Sequence, residues 1–286
     1  MALPDFLIKQ VPKQKNIRQI RALLEDSKLH TVCESARCPN IGECFSKQTL
    51  TFMILGNVCT RNCVFCGVPK GQPMPLDPLE PERIATAVKK LGLNYAVITS
   101  VTRDDLPDGG ASQFAATIFE CRISNIECRF EILIPDFQGN LDALKTVLAA
   151  KPYVLNHNIE TVPSLYSKIR PQANYQQSLQ LLKNSKKINK NIYTKSGFMV
   201  GLGEDKGEIL AVLEDLRDVQ CEIVTIGQYL APSKAHLKPV RYVTPQEFAE
   251  LQQFGESLGF KKVFSGPFVR SSYHAGEIVK CTNQKD

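Results

Sequence analysis

The chain has 286 residues, of which 43% are apolar, and a formal net charge of +6. That much apolar side chain builds a core, which argues against a disordered chain and against a small stapled scaffold. No apolar run approaches the ~18 residues of a membrane span, and residues 1–13 mix prolines and charges where a secretion signal needs a continuous apolar stretch, so an intracellular, cytoplasmic protein is expected.

The first fifty residues hold one amphipathic helix candidate, at 16–25, and three cysteines. From about residue 50 onward, short β-branched runs alternate with segments of helical periodicity. The runs predict strands at 51–55, 95–101, 129–134, 153–157, 192–200 and 222–227. The segments predict helices at 80–91, 110–124, 141–150, 175–189, 206–219 and 245–258. Such alternation favours parallel strands joined by right-handed helical crossovers. The expected fold is therefore α/β, a partial (β/α)6 TIM-like barrel, with an open doubly wound sheet as the structural alternative. In this reading residues 1–50 form an N-terminal extension, 51–260 the barrel and 261–286 a C-terminal tail. The positive charge is scattered except for 183–195, which reads as the solvated end of a lysine-rich helix and not as a nucleic-acid surface; an acidic protein partner suits it equally well.

Six of the ten cysteines fall within residues 33–66. Cytosolic thiols stay reduced, so this clustering points to metal and not to disulfides. The other four, Cys121, Cys128, Cys221 and Cys281, are widely separated and read as small buried apolar residues. The sharpest signal is Cys59-Thr-Arg-Asn-Cys63-Val-Phe-Cys66, directly after the first predicted strand, where barrel loops carry active sites. Soft thiolates select zinc or iron–sulfur clusters, but structural zinc usually takes four ligands and the local count here stops at three. Three thiolates on a four-iron cubane leave one iron open to a substrate or cofactor. A second set, Cys33-Glu-Ser-Ala-Arg-Cys38-Pro-Asn-Ile-Gly-Glu-Cys44, would alone be compatible with structural zinc. Beside the first motif, a second cluster is the stronger reading, and its fourth ligand must come from elsewhere.

The C-x3-C-x2-C spacing, with Phe65 just before the last cysteine, is that of the radical S-adenosylmethionine superfamily. Together with Arg270-Ser271-Ser272-Tyr273 in the tail, the two cysteine sets resemble those of the lipoyl synthases. Asp108-Gly109-Gly110, Asn156-His157-Asn158-Ile159-Glu160-Thr161, Gly201-Leu202-Gly203-Glu204 and Gly227-Gln228-Tyr229-Leu230 extend the resemblance over nearly the whole chain. It implies insertion of two sulfur atoms, at C6 and C8 of an octanoyl group on a carrier-protein lysine, to give the lipoyl cofactor. The carrier would be the lipoyl domain of an acyl-dehydrogenase complex or a glycine-cleavage carrier protein, and the electron donor a ferredoxin or flavodoxin. Neither general base catalysis nor an activated nucleophile functionalises such carbons, so a radical must remove the hydrogen.

The resemblance further implies two [4Fe–4S] clusters and S-adenosylmethionine. Cys59, Cys63 and Cys66 would hold the cluster whose open iron takes the amino and carboxylate groups of S-adenosylmethionine. Cys33, Cys38 and Cys44 would hold an auxiliary, sulfur-donating cluster, with Ser272 as its fourth ligand and Ser271 the lesser candidate. Phe65, Thr99, Asp104, Asp105, Asn158, Glu160, Lys195 and Glu204, in the cluster motif or near predicted strand ends, are candidate S-adenosylmethionine contacts; for the polar ones a salt bridge or a turn is an equal reading. Residues 197–204 resemble a superfamily pattern whose apolar main chain runs beside the adenine. His30, His157, His236 and His274 are isolated in sequence and read as packed or solvent-facing. Gln113 stands where lipoyl synthases often place a histidine. A related sulfur-inserting or methylthiolating radical enzyme, a two-cluster electron-transfer protein and a structural zinc protein remain the alternatives.

Overall fold

A computed structural model describes residues 3–9 and 14–277, which form two compact units. The first lies within Val11–Arg61, Val68–Leu155 and Ser272–Asp286, the second within Met1–Gln10, Asn62–Gly67 and Asn156–Ser271.

In the first unit, α1 (Gln14–Asp26), β1 (His30–Thr31), α2 (Val32–Ser35) and α3 (Ile41–Ser46) precede β2 (Thr51–Ile54). Then come α4 (Glu80–Leu91), β3 (Tyr95–Ser100), α5 (Ala111–Ile123), β4 (Arg129–Leu133) and α6 (Leu141–Ala149). β1 runs antiparallel to β2, whereas β2, β3 and β4 are parallel, with Phe52 opposite Ile98 and Ile98 opposite Ile132. These three side chains are buried, as are Ile84 and Val88 of α4 and Phe114 and Ile118 of α5, so the period-two and period-3.6 patterns meet in one apolar layer. α4 stops where Gly92 turns left-handed.

The strand β5 (Val154–Asn156) leads into the second unit, which continues with α7 (Tyr166–Ile169), α8 (Tyr175–Ile188), β6 (Tyr193–Val200), α9 (Lys206–Asp218), β7 (Ile223–Gln228), α10 (Pro245–Ser257) and β8 (Lys262–Gly266). β6, β7 and β8 are parallel. Two helices start at capping boxes, α9 at Asp205 with Glu208 and α10 at Thr244 with Glu247. Within each unit, strand order follows chain order, β1 to β4 in the first and β6 to β8 in the second.

The six predicted strands are β2 to β7, and the predicted helices are α1, α4, α5, α6, α8, α9 and α10. Two strands were not predicted. β1 is two residues long, too short for any period, and β8 falls within the segment 261–286. Cys281 lies outside the described residues. Among the described residues, no helix is long and apolar enough to cross a membrane.

One corner of the first unit prepares the segment that follows β2. Leu55 has a left-handed backbone, φ 68°, uncommon for a branched side chain, and three contacts hold it there. Its amide donates to Glu80 Oε2 at 2.9 Å, its carbonyl accepts from Arg103 Nη1 at 3.3 Å, and its side chain fills the space beside Gly110. A Cβ on Gly110, which is itself left-handed at φ 89°, would overlap that leucine. The Asp108-Gly109-Gly110 turn is thus a packing device, with Asp108 accepting from the Gly110 and Ser112 amides at 2.9 and 2.8 Å.

Candidate functional site

The C-x3-C-x2-C loop is fastened in both units. In the first, the Cys59 amide donates to the Pro69 carbonyl at 2.8 Å and the Cys59 carbonyl accepts from the Gly71 amide at 3.0 Å, while the Arg61 amide points at Cys59 Sγ from 3.4 Å. Arg61 is buried and binds two carboxylates, Asp104 at 2.6 and 2.8 Å and Asp136 at 2.6 and 2.8 Å. Burial works against its charge, but its hydrogen bonds to Asp104 and Asp136 outweigh that and raise the guanidinium pKa.

In the second unit, the Asn62 amide donates to Gln172 Oε1 at 2.6 Å and the Val64 amide to the Ile169 carbonyl at 3.1 Å. Val64 and Phe65 pack on a buried group of Ile169, Leu202 and Tyr229. Phe65 thereby has an apolar packing role. His236 Nε2 donates to the Cys66 carbonyl at 3.3 Å and its Nδ1 accepts from Ser233 Oγ at 2.8 Å, so this histidine supports the loop. Cys59, Cys63 and Cys66 are all half-buried thiols.

The second cysteine set sits on the short helices of the first unit. Thr31 caps α2, accepting from the Glu34 amide at 3.3 Å; Cys33 lies in that helix and its carbonyl accepts from the Cys38 amide at 2.9 Å. Cys44 lies in α3, its amide donating to Asn40 at 2.9 Å. Burial pushes the Cys33 thiol up to about 12; hydrogen bonds at Thr51 pull it back, and the nearby Cys38 and Cys44 push it further. Cys38 and Cys44 thus lie within electrostatic reach of Cys33, and a metal must displace the Cys33 proton to bind.

The tail reaches this set. Tyr273 donates its hydroxyl to Glu43, 3.1 Å from each carboxylate oxygen, and His274 lies 3.4 Å from the same group. Burial, then the charge of Glu43, pushes the Tyr273 phenol up to about 12, so it stays a donor. Among the described residues, the Ser272 hydroxyl has no hydrogen-bond partner. Ser271 is engaged within the second unit, accepting from Asn156 Nδ2 at 2.8 Å and donating to Asn158 Oδ1 at 2.8 Å.

The other nominated residues divide by environment. Asn158 also donates to Glu160 Oε1 at 3.0 Å, and Arg170 donates to the Asn158 and Ile159 carbonyls. Burial raises the Glu160 pKa, while the Arg170 charge and the Asn158 hydrogen bond pull it down. Lys195 is fully buried on β6. Thr99 donates to the Leu133 carbonyl within the parallel sheet at 2.9 Å. Asp104 is taken by Arg61, and Asp105 by Arg103 at 2.8 Å. Glu204 accepts from the Gly201 and Leu202 amides at 2.5 and 2.9 Å, which closes the turn after β6. Gly197 leaves no room for a Cβ beside Thr225. Sequence reading missed Glu43 and the structural part of Arg61, and it passed over Ser100, whose hydroxyl at the C-terminal end of β3 is buried without a partner among the described residues.

This donor set fits iron–sulfur chemistry. The six cysteines of the two sets are free thiols, soft donors held half-buried, and Tyr273, the residue after Ser272, docks on Glu43, the residue before Cys44. Among the described residues, no three His, Cys, Asp or Glu side chains converge as ligands of a single metal ion; a cubane takes its ligands at separate corners.

Comparison with known proteins agrees. The family model for the radical SAM superfamily matches residues 53–216, and that for the N-terminal domain of lipoyl synthase matches residues 1–38. A lipoyl synthase of Caldanaerobacter subterraneus is 56% identical over 95% of this chain and 95% of its own length. One of Aquifex aeolicus is 52% identical over 96% of this chain and the whole of its own. Among solved structures, SuiB of Streptococcus suis bound to its precursor peptide aligns with TM-score 0.60 at 10% identity, covering 97% of this chain and 60% of that one. Methylornithine synthase aligns with TM-score 0.54 at 13% identity, covering 74% and 70%. These likenesses support the partial-barrel fold, and the near full-length identity to curated relatives settles the rest: the chain belongs to the lipoyl synthase family of radical S-adenosylmethionine enzymes.

Proposed function

We propose that Cys59, Cys63 and Cys66 bind the cluster that meets S-adenosylmethionine, and that Cys33, Cys38, Cys44 and Ser272 bind the auxiliary cluster. The chain is a sulfurtransferase that inserts two sulfur atoms at C6 and C8 of a protein-bound octanoyl-lysine, using two [4Fe–4S] clusters and S-adenosylmethionine. When bound, these cofactors supply the electron, the hydrogen-atom abstraction and the sulfur. The protein's part is to hold, orient and exclude.

The observation that carries the ligand assignment is the docking of Tyr273 on Glu43, which brings Ser272 to the helix of Cys44. Ser271 already spends its hydroxyl on Asn156 and Asn158, which favours Ser272. A serine oxygen suits iron in a sulfide cluster less well than thiolate, so this corner would come apart first. Asn158, Glu160 and Lys195 remain the nominated polar contacts for S-adenosylmethionine, with Phe65 and Thr99 behind them. Asp105 and Glu204 are less favoured because Arg103 and two main-chain amides occupy them.

The substrate is carried on a lipoyl carrier protein. A lipoyl domain or the glycine-cleavage carrier, a ferredoxin or flavodoxin as donor, and a reducing cytoplasmic setting complete the proposal. The test is anaerobic reconstitution followed by an assay with octanoylated lysyl peptide, S-adenosylmethionine and reductant. About eight irons per chain with 5'-deoxyadenosine and thiolated peptide are expected, with iron lost from the auxiliary cluster in Ser272→Ala but not in Ser271→Ala. Equal iron loss in both serine variants would refute the ligand assignment.

A further inference from the structure

One carboxylate in the first unit joins the two stretches of chain read as auxiliary-cluster ligands. Glu43 immediately precedes Cys44 in α3, and Tyr273 immediately follows Ser272. The Tyr273 hydroxyl contacts both Glu43 oxygens at 3.1 Å, across 230 residues of sequence. His274 adds a contact to Glu43 at 3.4 Å and a second to Glu277 at 2.6 Å, and its ring lies 4.0 Å from that of Tyr273. Lys47, one turn along α3, pairs with Glu43 at 3.0 Å. None of these contacts involves a thiol or the Ser272 hydroxyl, so none of them requires a metal ligand.

We propose that Glu43 and Tyr273 form a latch that holds Ser272 at the Cys44 helix whether or not iron is bound, so the ligand set survives loss of the auxiliary cluster and is ready to receive another. The inference rests on the assignment of Cys33, Cys38, Cys44 and Ser272 as one ligand set. A serine on a free tail would lose conformational entropy each time it was recruited; a docked one has lost it on folding. Glu43 and Tyr273 are positioning residues, since they act through Ser272.

The test follows backbone hydrogen exchange over residues 269–277 in the full chain, first iron-free and then reconstituted, together with the Mössbauer spectrum of the auxiliary cluster. The iron-free wild type should already protect the tail, with little gain on loading. Tyr273→Phe and Glu43→Ala should speed tail exchange in the iron-free protein roughly ten- to a hundred-fold, the range for losing a hydrogen bond to a charged acceptor. Glu43→Gln, which keeps an acceptor, should restore part of the protection. In Tyr273→Phe the oxygen-ligated iron signal should weaken while the cluster on Cys59, Cys63 and Cys66 keeps its spectrum. A wild-type tail that is unprotected until iron is added overturns the latch, as does a Tyr273→Phe protein matching wild type in both exchange and spectrum. Wild type binding only about four irons, or Ser272→Ala leaving the auxiliary spectrum unchanged, instead overturns the ligand assignment beneath it.

Discussion

Arg61 and Asp136 meet edge to edge, two guanidinium nitrogens at 2.8 and 2.6 Å from two carboxylate oxygens, with side chains only 4% and 0% exposed. Asp104 takes another edge of the same guanidinium and is 22% exposed. Removing the arginine strands buried charge, which costs about 3–5 kcal/mol. Arg61→Met should therefore lower the denaturation midpoint far more than Asp104→Asn does. Equal losses for the two variants would sink this account.

Gln113 has a structural task. Its side-chain amide donates to the Asp77 carbonyl and to Glu80 Oε2, each at 3.1 Å, and Glu80 in turn holds the Leu55 amide. Gln113→Ala should cost about 1–3 kcal/mol, because it leaves a buried acceptor short of a donor. Gln113→His, able to donate once, should cost less, as equilibrium urea unfolding of the two variants will show.

Burial pushes the Cys221 thiol from an ordinary 9.0 to about 12. Its proton is thus held more tightly folded than unfolded, so this group's contribution to stability is whole below pH 9 and is lost as the pH rises toward 12. Cys221→Ala should show a shallower fall in thermal midpoint over that window. The same burial predicts that Cys221 and Cys121 resist alkylation at pH 8 in the folded protein; rapid labelling of either would contradict it.

The net charge of +6 bears on substrate delivery. If an acidic carrier is steered by this charge, raising salt from low to physiological strength should slow turnover of carrier several-fold and barely affect a short octanoylated peptide. Equal salt sensitivity of the two substrates would contradict steering.

Six strands were legible because β-branched runs mark them, and the cysteines because thiols cluster for few reasons other than metal. β8, Lys262–Gly266, was hidden by its lysine, serine and glycine. The fastenings were illegible for another reason. Arg61 finds its carboxylates 43 and 75 residues away, and Tyr273 finds Glu43 across 230, so no local pattern announces either pair. Asp105 and Glu204 have partners that no periodicity announces, Arg103 for the first and two turn amides for the second.

The contact between Leu55 and Gly110 has a hereditary consequence. Any side chain at Gly110 collides with Leu55, and shrinking Leu55 alone opens a hole above a left-handed residue that Glu80 and Arg103 still clamp. Neither position can drift singly without loss, yet a smaller residue at 55 makes room for an alanine at 110. The two sites should therefore be strongly epistatic: Leu55→Ala with Gly110→Ala should cost less than the sum of the separate changes, so a lineage leaving this pair would have to cross a less stable intermediate.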